Sequence, residues 1–401
     1  MSNPTSEKKE LGLAYFIVFL DLLGASILLP VIPYIVRVYR TDAMTVGLLA
    51  LSYSAAQFLA TPVLGALSDR VGRRPVLLVS IFGSACGYFL FGWAGSLWVL
   101  FASRILDGLT GGNISTAQAY IADRSRPEDR AKNFGMIGAA FGLGFLLGPA
   151  FGGMLSHISI HAPAFAAGIV SLVTFSTAYF FLPESLPKEK RHAVRFSARE
   201  LDPLHKIAGP IRRPVLRWLL PSFFMFHLAM SGLTSNFAVY TLNRYGLTAA
   251  QNALILVWLG FMVVLTQGVF VRKLMPKVGE RRLASEALML TVAGYAAVAW
   301  APQLWWVYLG IGVMAVGNGL GGPSMQALLS GQASAQEQGL IMGVSASLGS
   351  LARVFGPIIA GLLFDHVSFS APYWAGSVMM GVGLLLLRAA VRESTPPLAT
   401  R

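Results

Sequence analysis

Apolar runs of about 20 residues recur from one end of this chain to the other, and no water-soluble core absorbs so many. They fall at 11–36, 44–66, 75–94, 97–121, 134–156, 162–182, 215–241, 250–272, 284–302, 304–329, 339–364 and 371–391. A helix of that length covers about 30 Å, the thickness of the hydrocarbon layer. Lipid offers no partner to a backbone amide, so a spanning segment is a helix or a strand of a closed barrel. The short alternating strands of a barrel are not seen here. Hydrophobic residues make up 55% of the chain and charged ones only 12%, about half the charge of a soluble domain. The expected fold is an all-α membrane protein, with twelve transmembrane helices in two pseudo-symmetric six-helix bundles.

The 401 residues carry a net charge of +13. So basic a chain invites a nucleic-acid reading, but its lysines and arginines are scattered between the apolar runs, where they set topology instead. They crowd one side: the N-terminus, the connections two–three, four–five and eight–nine, the central loop and the C-terminus. Arg37, Arg40 and Arg244 lie on the other side, and Arg104 and Arg353 fall inside runs. This asymmetry predicts a multi-pass protein of the inner or plasma membrane with both termini and the central loop in the cytoplasm. The expected organisation is an N-terminal bundle at 1–182, a cytoplasmic loop at 183–214 and a C-terminal bundle at 215–401. Membrane lipids are then its surroundings, no nucleic-acid partner is expected, and a monomer suffices.

The two halves carry traces of one ancestor. Displaced by 208 residues, GMIGAAFGLGFLLGPAFGG (135–153) lies over GVSASLGSLARVFGPIIAG (343–361), so that Gly148, Pro149 and Gly153 meet Gly356, Pro357 and Gly361. Gln118 meets Gln326 in the same register. Weak internal symmetry of six plus six spans is how alternating-access transporters are built, with substrate bound near mid-membrane. No Walker motif, clustered Cys/His ligands, paired catalytic carboxylates or nucleophile motif stands out, and the six histidines are dispersed. Neither an enzyme nor a nucleotide-driven pump is expected. A non-transporting membrane sensor is the reading from a different class.

The connection GALSDRVGRRP (65–75) packs charge and glycine into one hairpin. Gly65 permits close helix approach, and Gly72 supplies the positive φ of a tight turn. Arg70, Arg73 and Arg74 are placed to reach lipid phosphates or a carboxylate such as Asp123. Asp69, at the mouth of so basic a turn, is placed to cap the positive end of another helix and act as a conformational latch. Charges setting topology, with nothing more, are the simpler reading of the same residues.

These motifs carry a resemblance. GALSDRVGRRP resembles the signature loop of the major facilitator superfamily, ASRILDGLTGG its helix-four motif around a buried arginine, and GLGFLLGPAFGG its helix-five antiporter motif. FLDLLGASILLPVIP, AYIADRSRPEDRAKNFG and HAPAFAAGIVSLVTFSTAYFFLPES resemble the tetracycline-efflux branch of the drug/proton antiporters. The resemblance covers nearly all of the first half and thins to scattered glycines in the second. It implies export of amphipathic small molecules in exchange for protons, driven by the proton gradient with no cofactor or metal. It also implies that Gly144, Gly148, Pro149, Gly152 and Gly153 pack the bundle tightly enough to stop ions leaking. Two departures stand out: the branch's helix-three acid is replaced by Gly87, and Thr291 stands near the place of its helix-nine acid.

An ionisable side chain near mid-bilayer costs about 2.5–3.5 kcal/mol on insertion scales, so it is read as functional by default. Asp21 lies about ten residues into the first run, at the family's helix-one acid position, and is the candidate proton-binding group. A helix-packing carboxylate is its structural alternative. Arg104 and Asp107 share a helix face; either they pair with each other, or Arg104 tunes an acid on another helix. The resemblance assigns Arg104 to proton coupling, and Asp107 is held as an additional proton or cation site. Arg353 requires a carboxylate or an anionic ligand nearby, which keeps an anionic or lipid-like substrate open as the alternative. Tyr34, Asn113, Gln118, Phe223, Phe226, Asn236, Tyr240, Asn318 and Gln326 are the candidate cavity residues, each of which alone is more often packing than a ligand contact.

Overall fold

A computed structural model describes residues 4–125, 129–191, 209–333 and 337–394. The greater part of the predicted central loop, 192–208, lies outside the described residues. The first predicted run is α1 (Pro4–Ile27) and, after a short turn, α2 (Ile32–Arg37). The runs that follow are α3 (Ala43–Val71), α4 (Arg73–Gly92), the pair α5 (Leu97–Leu109) and α6 (Asn113–Arg124), α7 (Arg130–Ser156) and α8 (Ala162–Phe181). The second half holds α9 (Leu216–Tyr245), α10 (Ala249–Leu265), a π-helical turn at Thr266–Val271, α11 (Arg272–Val278), α12 (Glu280–Trp300), α13 (Leu304–Ser330), α14 (Gln338–His366) and α15 (Ala371–Ser394). The twelve predicted runs are all helical.

Among the described residues, ten helical segments are long and apolar enough to cross a membrane, α1 with α2 counting as one and α10 through α11 as another. The other two runs have identifiable reasons for falling short. The run 97–121 is broken at Thr110–Gly112 into two helices of 13 and 12 residues. The helix Leu216–Tyr245 has the length but carries Arg217, His227, Asn236 and Arg244 along it. Prolines sit inside α3, α7, α9, α11, α13 and α14, as membrane helices tolerate where neighbours satisfy the freed carbonyl.

The chain gathers into two compact units. The first comprises 1–41, 48–196 and 246–260, and the second 42–47, 197–245 and 261–401. In the first unit the core joins Ile17, Val18 and Leu22 of α1 to Leu77 and Ile81 of α4, Ala117 and Ile121 of α6, and Ile137 and Ala140 of α7. Large apolar side chains point outward, Phe180 at 74% and Phe181 at 70% exposure among them, which in water would be costly and in lipid is the natural arrangement. In the second unit Leu283 and Ala287 of α12 pack on Leu320 of α13, and glycines let the two backbones close: a Cβ on Gly310 would stand 3.0 Å from the Gly294 carbonyl oxygen.

Candidate functional site

Four helices of the first unit bring polar side chains together inside an apolar wall. Asp21 lies in the second half of α1 and is part-buried. The break after Leu109 restarts the chain as α6 with Asn113 as its first helical residue. That break frees the Asn113 side chain from the lipid-facing rhythm of a continuous helix. Asn113 Nδ2 donates to Asp21 Oδ1 at 2.6 Å and stands 3.5 Å from Ser84 Oγ on α4. Ser84 in turn lies near Asp107. Asp107 Oδ2 accepts from Arg104 Nη1 at 3.1 Å, so of the two arrangements open to this arginine the pair within α5 is the one that forms. The Arg104 guanidinium also lies over the rings of Phe91 (4.7 Å) and Tyr88 (5.5 Å), so its charge is held by one carboxylate and two π-faces.

Five residues thus make one row of polar neighbours, Asp21–Asn113–Ser84–Asp107–Arg104, bonded at its two ends. It contains two carboxylates and one cation. Asp107 and Arg104 are 3% and 7% exposed, and buried charges of this kind persist when paired. Asp21 has a neutral amide as its partner, and the nearby Asp107 carboxylate repels its charge. The site is therefore one positive charge short, and the chemistry it offers is uptake of one proton or one cationic group at Asp21. Arg104 Nε and Nη2 and Asn113 Oδ1 are buried without a hydrogen-bond partner among the described residues, so the row retains capacity for a further ligand or a rearranged bond. Gly87 faces this site from α4. A Cβ there would stand 3.0 Å from Asp107 Cβ, so the position at which the branch's helix-three acid is absent lies directly against the buried acid that this chain has on α5.

The helix-five glycines brace the same stretch of α1. A Cβ on Gly144 would stand 2.9 Å from Leu22 Cβ, one on Gly148 would fall on Ser26 Oγ, and one on Gly152 would fall on the Ile27 carbonyl oxygen. Ser26 Oγ donates across the interface to the Gly144 carbonyl at 2.7 Å. The contact begins at Leu22, the residue next to Asp21, so the glycine face of α7 fixes α1 where its acid stands. Pro149 lies inside the same helix. Gly153 faces Ala253 of α10 instead, and a Cβ on Gly260 of α10 would stand 2.9 Å from Leu146 Cα.

At the charged end of the unit, the hairpin between α3 and α4 is tied by carboxylates. Gly72 has φ +115°, and a Cβ on it would fall on Glu184 Oε2. Glu184, just beyond α8, accepts from the backbone amides of Arg73 (2.9 Å) and Arg74 (3.2 Å) at the start of α4. Arg73 also pairs with Asp69 at 2.6 Å and with Asp123 at 3.1 Å, while Arg70 is exposed and Gly65 has open space beside it. The expected reach from the loop arginines to Asp123 is made by Arg73; Asp69 spends its charge on the same arginine. Glu184 escapes sequence reasoning because it lies 111 and 110 residues from the amides of Arg73 and Arg74 that it caps. The run PES, a lone acid where a helix ends at basic surroundings, is the signal that could have found it.

The remaining candidates are spread. Tyr34 donates to the Leu247 carbonyl at 2.6 Å, and Gln118 is exposed on the face of α6 away from Asn113. In the second unit, Phe223 and Phe226 pack on the His227 ring at 4.3 and 5.3 Å. Asn236 donates to the Ala360 carbonyl at 3.3 Å, and Tyr240 is fully buried with its hydroxyl on the Val298 carbonyl. Asn318 is part-buried, and Gln326 Nε2 stands 2.9 Å from Met342 Sδ. Arg353 bonds Ser350 Oγ at 2.9 Å and lies close enough to His227 for their charges to interact. Thr291 is buried and bonds the Ala287 carbonyl.

The family model of the Major Facilitator Superfamily matches residues 14–301 and 270–401. Tetracycline resistance protein, class C, of Escherichia coli is 33% identical over 374 residues, 92% of this chain and 93% of the relative. Multidrug resistance protein 2 of Bacillus subtilis (strain 168) is 28% identical over 374 residues, 92% of each chain. Among solved structures, the human organic anion transporter MFSD10 superposes with a TM-score of 0.75 at 26% identity, covering 96% of this chain and 100% of that one.

Proposed function

Because the chain belongs to the major facilitator superfamily, and so is a multi-pass membrane transporter and not an enzyme, we propose that it exports amphipathic small molecules in exchange for protons by alternating access. The observation that carries this reading is the Asp21–Asn113–Ser84–Asp107–Arg104 row, whose charges balance only when Asp21 takes up a proton or a cation. A transporter needs a group whose occupancy differs between its two faces, so that a gradient does work on the conformational equilibrium. Asp21 is that group. Arg104 holds Asp107 and sets the local field, and Asp107 is the second carboxylate through which the field at Asp21 is adjusted. The proton gradient is the only energy source required. Both termini and the charged hairpin face the cytoplasm, in the inner or plasma membrane of a monomeric protein. The Asp69–Arg73–Asp123 bridge and the Glu184 cap hold the charged hairpin of the first unit, and the latching role of Asp69 requires it to leave Arg73 for the positive end of another helix.

The test is transport by purified protein in liposomes under an imposed pH gradient, with lipophilic cations, neutral amphipathic compounds and organic anions as separate probes. The proposal requires that cations or neutral compounds be driven outward by inward proton flow. A second reading, transport of an anionic or lipid-like substrate, is favoured by Arg353 beside His227 in the second unit, and MFSD10, similar in fold and sequence, is an organic anion transporter. Gradient-driven movement of anions alone, lost in Arg353→Ala, selects that reading.

A further inference from the structure

The helices that build the carboxylate site continue a polar stripe beyond it, toward the end carrying the charged hairpin. On α6, Asn113, Thr116, Tyr120 and Arg124 follow at three- and four-residue intervals and so share a face. On α4, Ser84 and Ser80 are one turn apart. The two helices run in opposite senses relative to the hairpin, α4 away from it and α6 toward it. Ser80 and Thr116 therefore both lie one turn nearer the charged end than Ser84 and Asn113, about 5–6 Å along the axis. Ser80, Thr116 and Tyr120 are 0%, 1% and 0% exposed, among the apolar side chains of Ile17, Leu77, Ile81, Ala117 and Ile121.

Most buried hydroxyls of this unit satisfy themselves locally, and those of the stripe, like Ser171 of α8 and Tyr15 of α1, do not. Thr61, Thr110, Ser125 and Thr174 each fold back onto the carbonyl four residues earlier, at 2.6–2.9 Å. Ser80 and Thr116 make no such bond and have no other hydrogen-bond partner among the described residues. Leaving a buried hydroxyl unbonded is costly, and an unsatisfied polar group in a native core calls for an explanation. At the far end of the stripe Tyr120 lies beside Arg124 and Glu10, which pair with each other at 3.1 Å.

We propose that Ser80, Thr116 and Tyr120 form the route by which protons pass between the Asp21–Asn113 site and the Glu10–Arg124 pair, and thence to water at the charged end. A hydroxyl both donates and accepts, so it takes a proton on its oxygen while releasing its own and ends unchanged. The three hydroxyl oxygens leave no room for a bonded water in this conformation, so the route opens when water enters the one-turn gaps as the helices shift between conformations. The charged groups that face the route are Asp107 and Arg104 at one end and Glu10, Arg124 and Glu184 at the other. Asp107 and Glu10 each have an arginine partner and Glu184 is held by the amides of Arg73 and Arg74, which leaves Asp21 as the proton's destination. The inference rests on the proposed role of Asp21.

The test follows the infrared carbonyl band of protonated Asp21 after a pH jump on the full chain in liposomes, with Asp21→Asn identifying the band. The paired substitution Ser80→Ala with Thr116→Val is expected to slow protonation by about tenfold and to leave the final extent of protonation unchanged. Thr116→Ser, which keeps the hydroxyl, is expected to restore the rate. Tyr120→Phe removes a single oxygen with no change of shape and is expected to slow the reaction as well, which covers the case in which the paired variant fails to fold. An unchanged rate in folded Tyr120→Phe and in the paired variant overturns the route, as does a Thr116→Ser rate as slow as that of Thr116→Val. If Asp21→Asn leaves the band in place, it is the proton-binding role of Asp21 that fails, an outcome distinct from both.

Discussion

Asn113 Nδ2 stands 2.6 Å from Asp21 Oδ1, and the two residues are 92 positions apart in the chain. The bond exists because α6 begins anew after the Thr110–Gly112 break, with Asn113 at its first turn. A continuous helix through 97–124 would place that side chain by the ordinary 3.6-residue rhythm and not by the turn.

Removal of the amide has a definite expected cost. Asn113→Ala leaves Asp21 without its donor, a loss of about 1–3 kcal/mol, read as a lower midpoint in thermal unfolding of the detergent-solubilised protein. In an Asp21→Ala background the same substitution is expected to cost less than half as much. Equal costs in both backgrounds would show that Asn113 acts through packing.

The Arg104–Asp107 pair is expected to behave as a unit. Breaking a buried pair from one side strands a charge and costs about 3–5 kcal/mol, so Arg104→Ala and Asp107→Ala should each be strongly destabilising. The double variant is expected to be more stable than the sum of the two losses implies, and a double-mutant cycle by chemical unfolding measures the difference. Additive losses would mean that the 3.1 Å contact contributes nothing.

Two glycines of α7 make opposite predictions about rescue. A Cβ at Gly148 meets the Ser26 side chain first and the Ser26 backbone carbon at 2.9 Å, whereas one at Gly152 first meets the Ile27 carbonyl, which is backbone alone. Overpacking of this kind costs about 1–3 kcal/mol. Gly148→Ala should therefore be rescued in part by Ser26→Gly, and Gly152→Ala not at all by a change of the Ile27 side chain, with thermal stability and proton leak of reconstituted protein as the readouts. Rescue of both would deny that α1 and α7 touch backbone to backbone.

At the hairpin, Gly72→Ala is strained twice, by φ +115° and by collision with Glu184. Glu184→Ala leaves the first amides of α4 uncapped, at a cost of about 0.5–2 kcal/mol. Both are expected to speed proteolysis at 65–74 without altering the Asp21 site. A hairpin that stays protected in folded Glu184→Ala would show that the Glu184 cap does not hold it.

The fold was largely legible because lipid admits few backbones: apolar runs of fixed length, loop charges and the glycine repeat leave little choice. Asp21, Arg104 and Asp107 were legible for a related reason, since ionisable side chains inside apolar runs announce themselves by their cost. What connects them was not. Ser84 reads as a small residue in a greasy helix, and its place between Asn113 and Asp107 depends on how α4, α5 and α6 rotate about their axes. Glu184 and Ser26 are hidden likewise, since their partners lie far away in sequence and are backbone atoms, which look alike at every position. The surroundings of the cavity candidates were hidden for the same reason: Tyr240 and Asn236 are polar residues on a helix face, and only packing tells that the Tyr240 hydroxyl and the Asn236 amide nitrogen are turned to the carbonyls of Val298 and Ala360.

The central claim is that Asp21 carries the coupling proton, and one measurement bears on it most directly. Asp21→Asn keeps the size of the side chain and removes its charge, and the variant is reconstituted in liposomes beside the unaltered protein. Movement of a transported amphipathic probe under an imposed pH gradient is then compared with its exchange in the absence of a gradient. Gradient-driven accumulation is expected to disappear in Asp21→Asn while the protein folds and still binds the probe. Full gradient-driven accumulation by Asp21→Asn would contradict the claim.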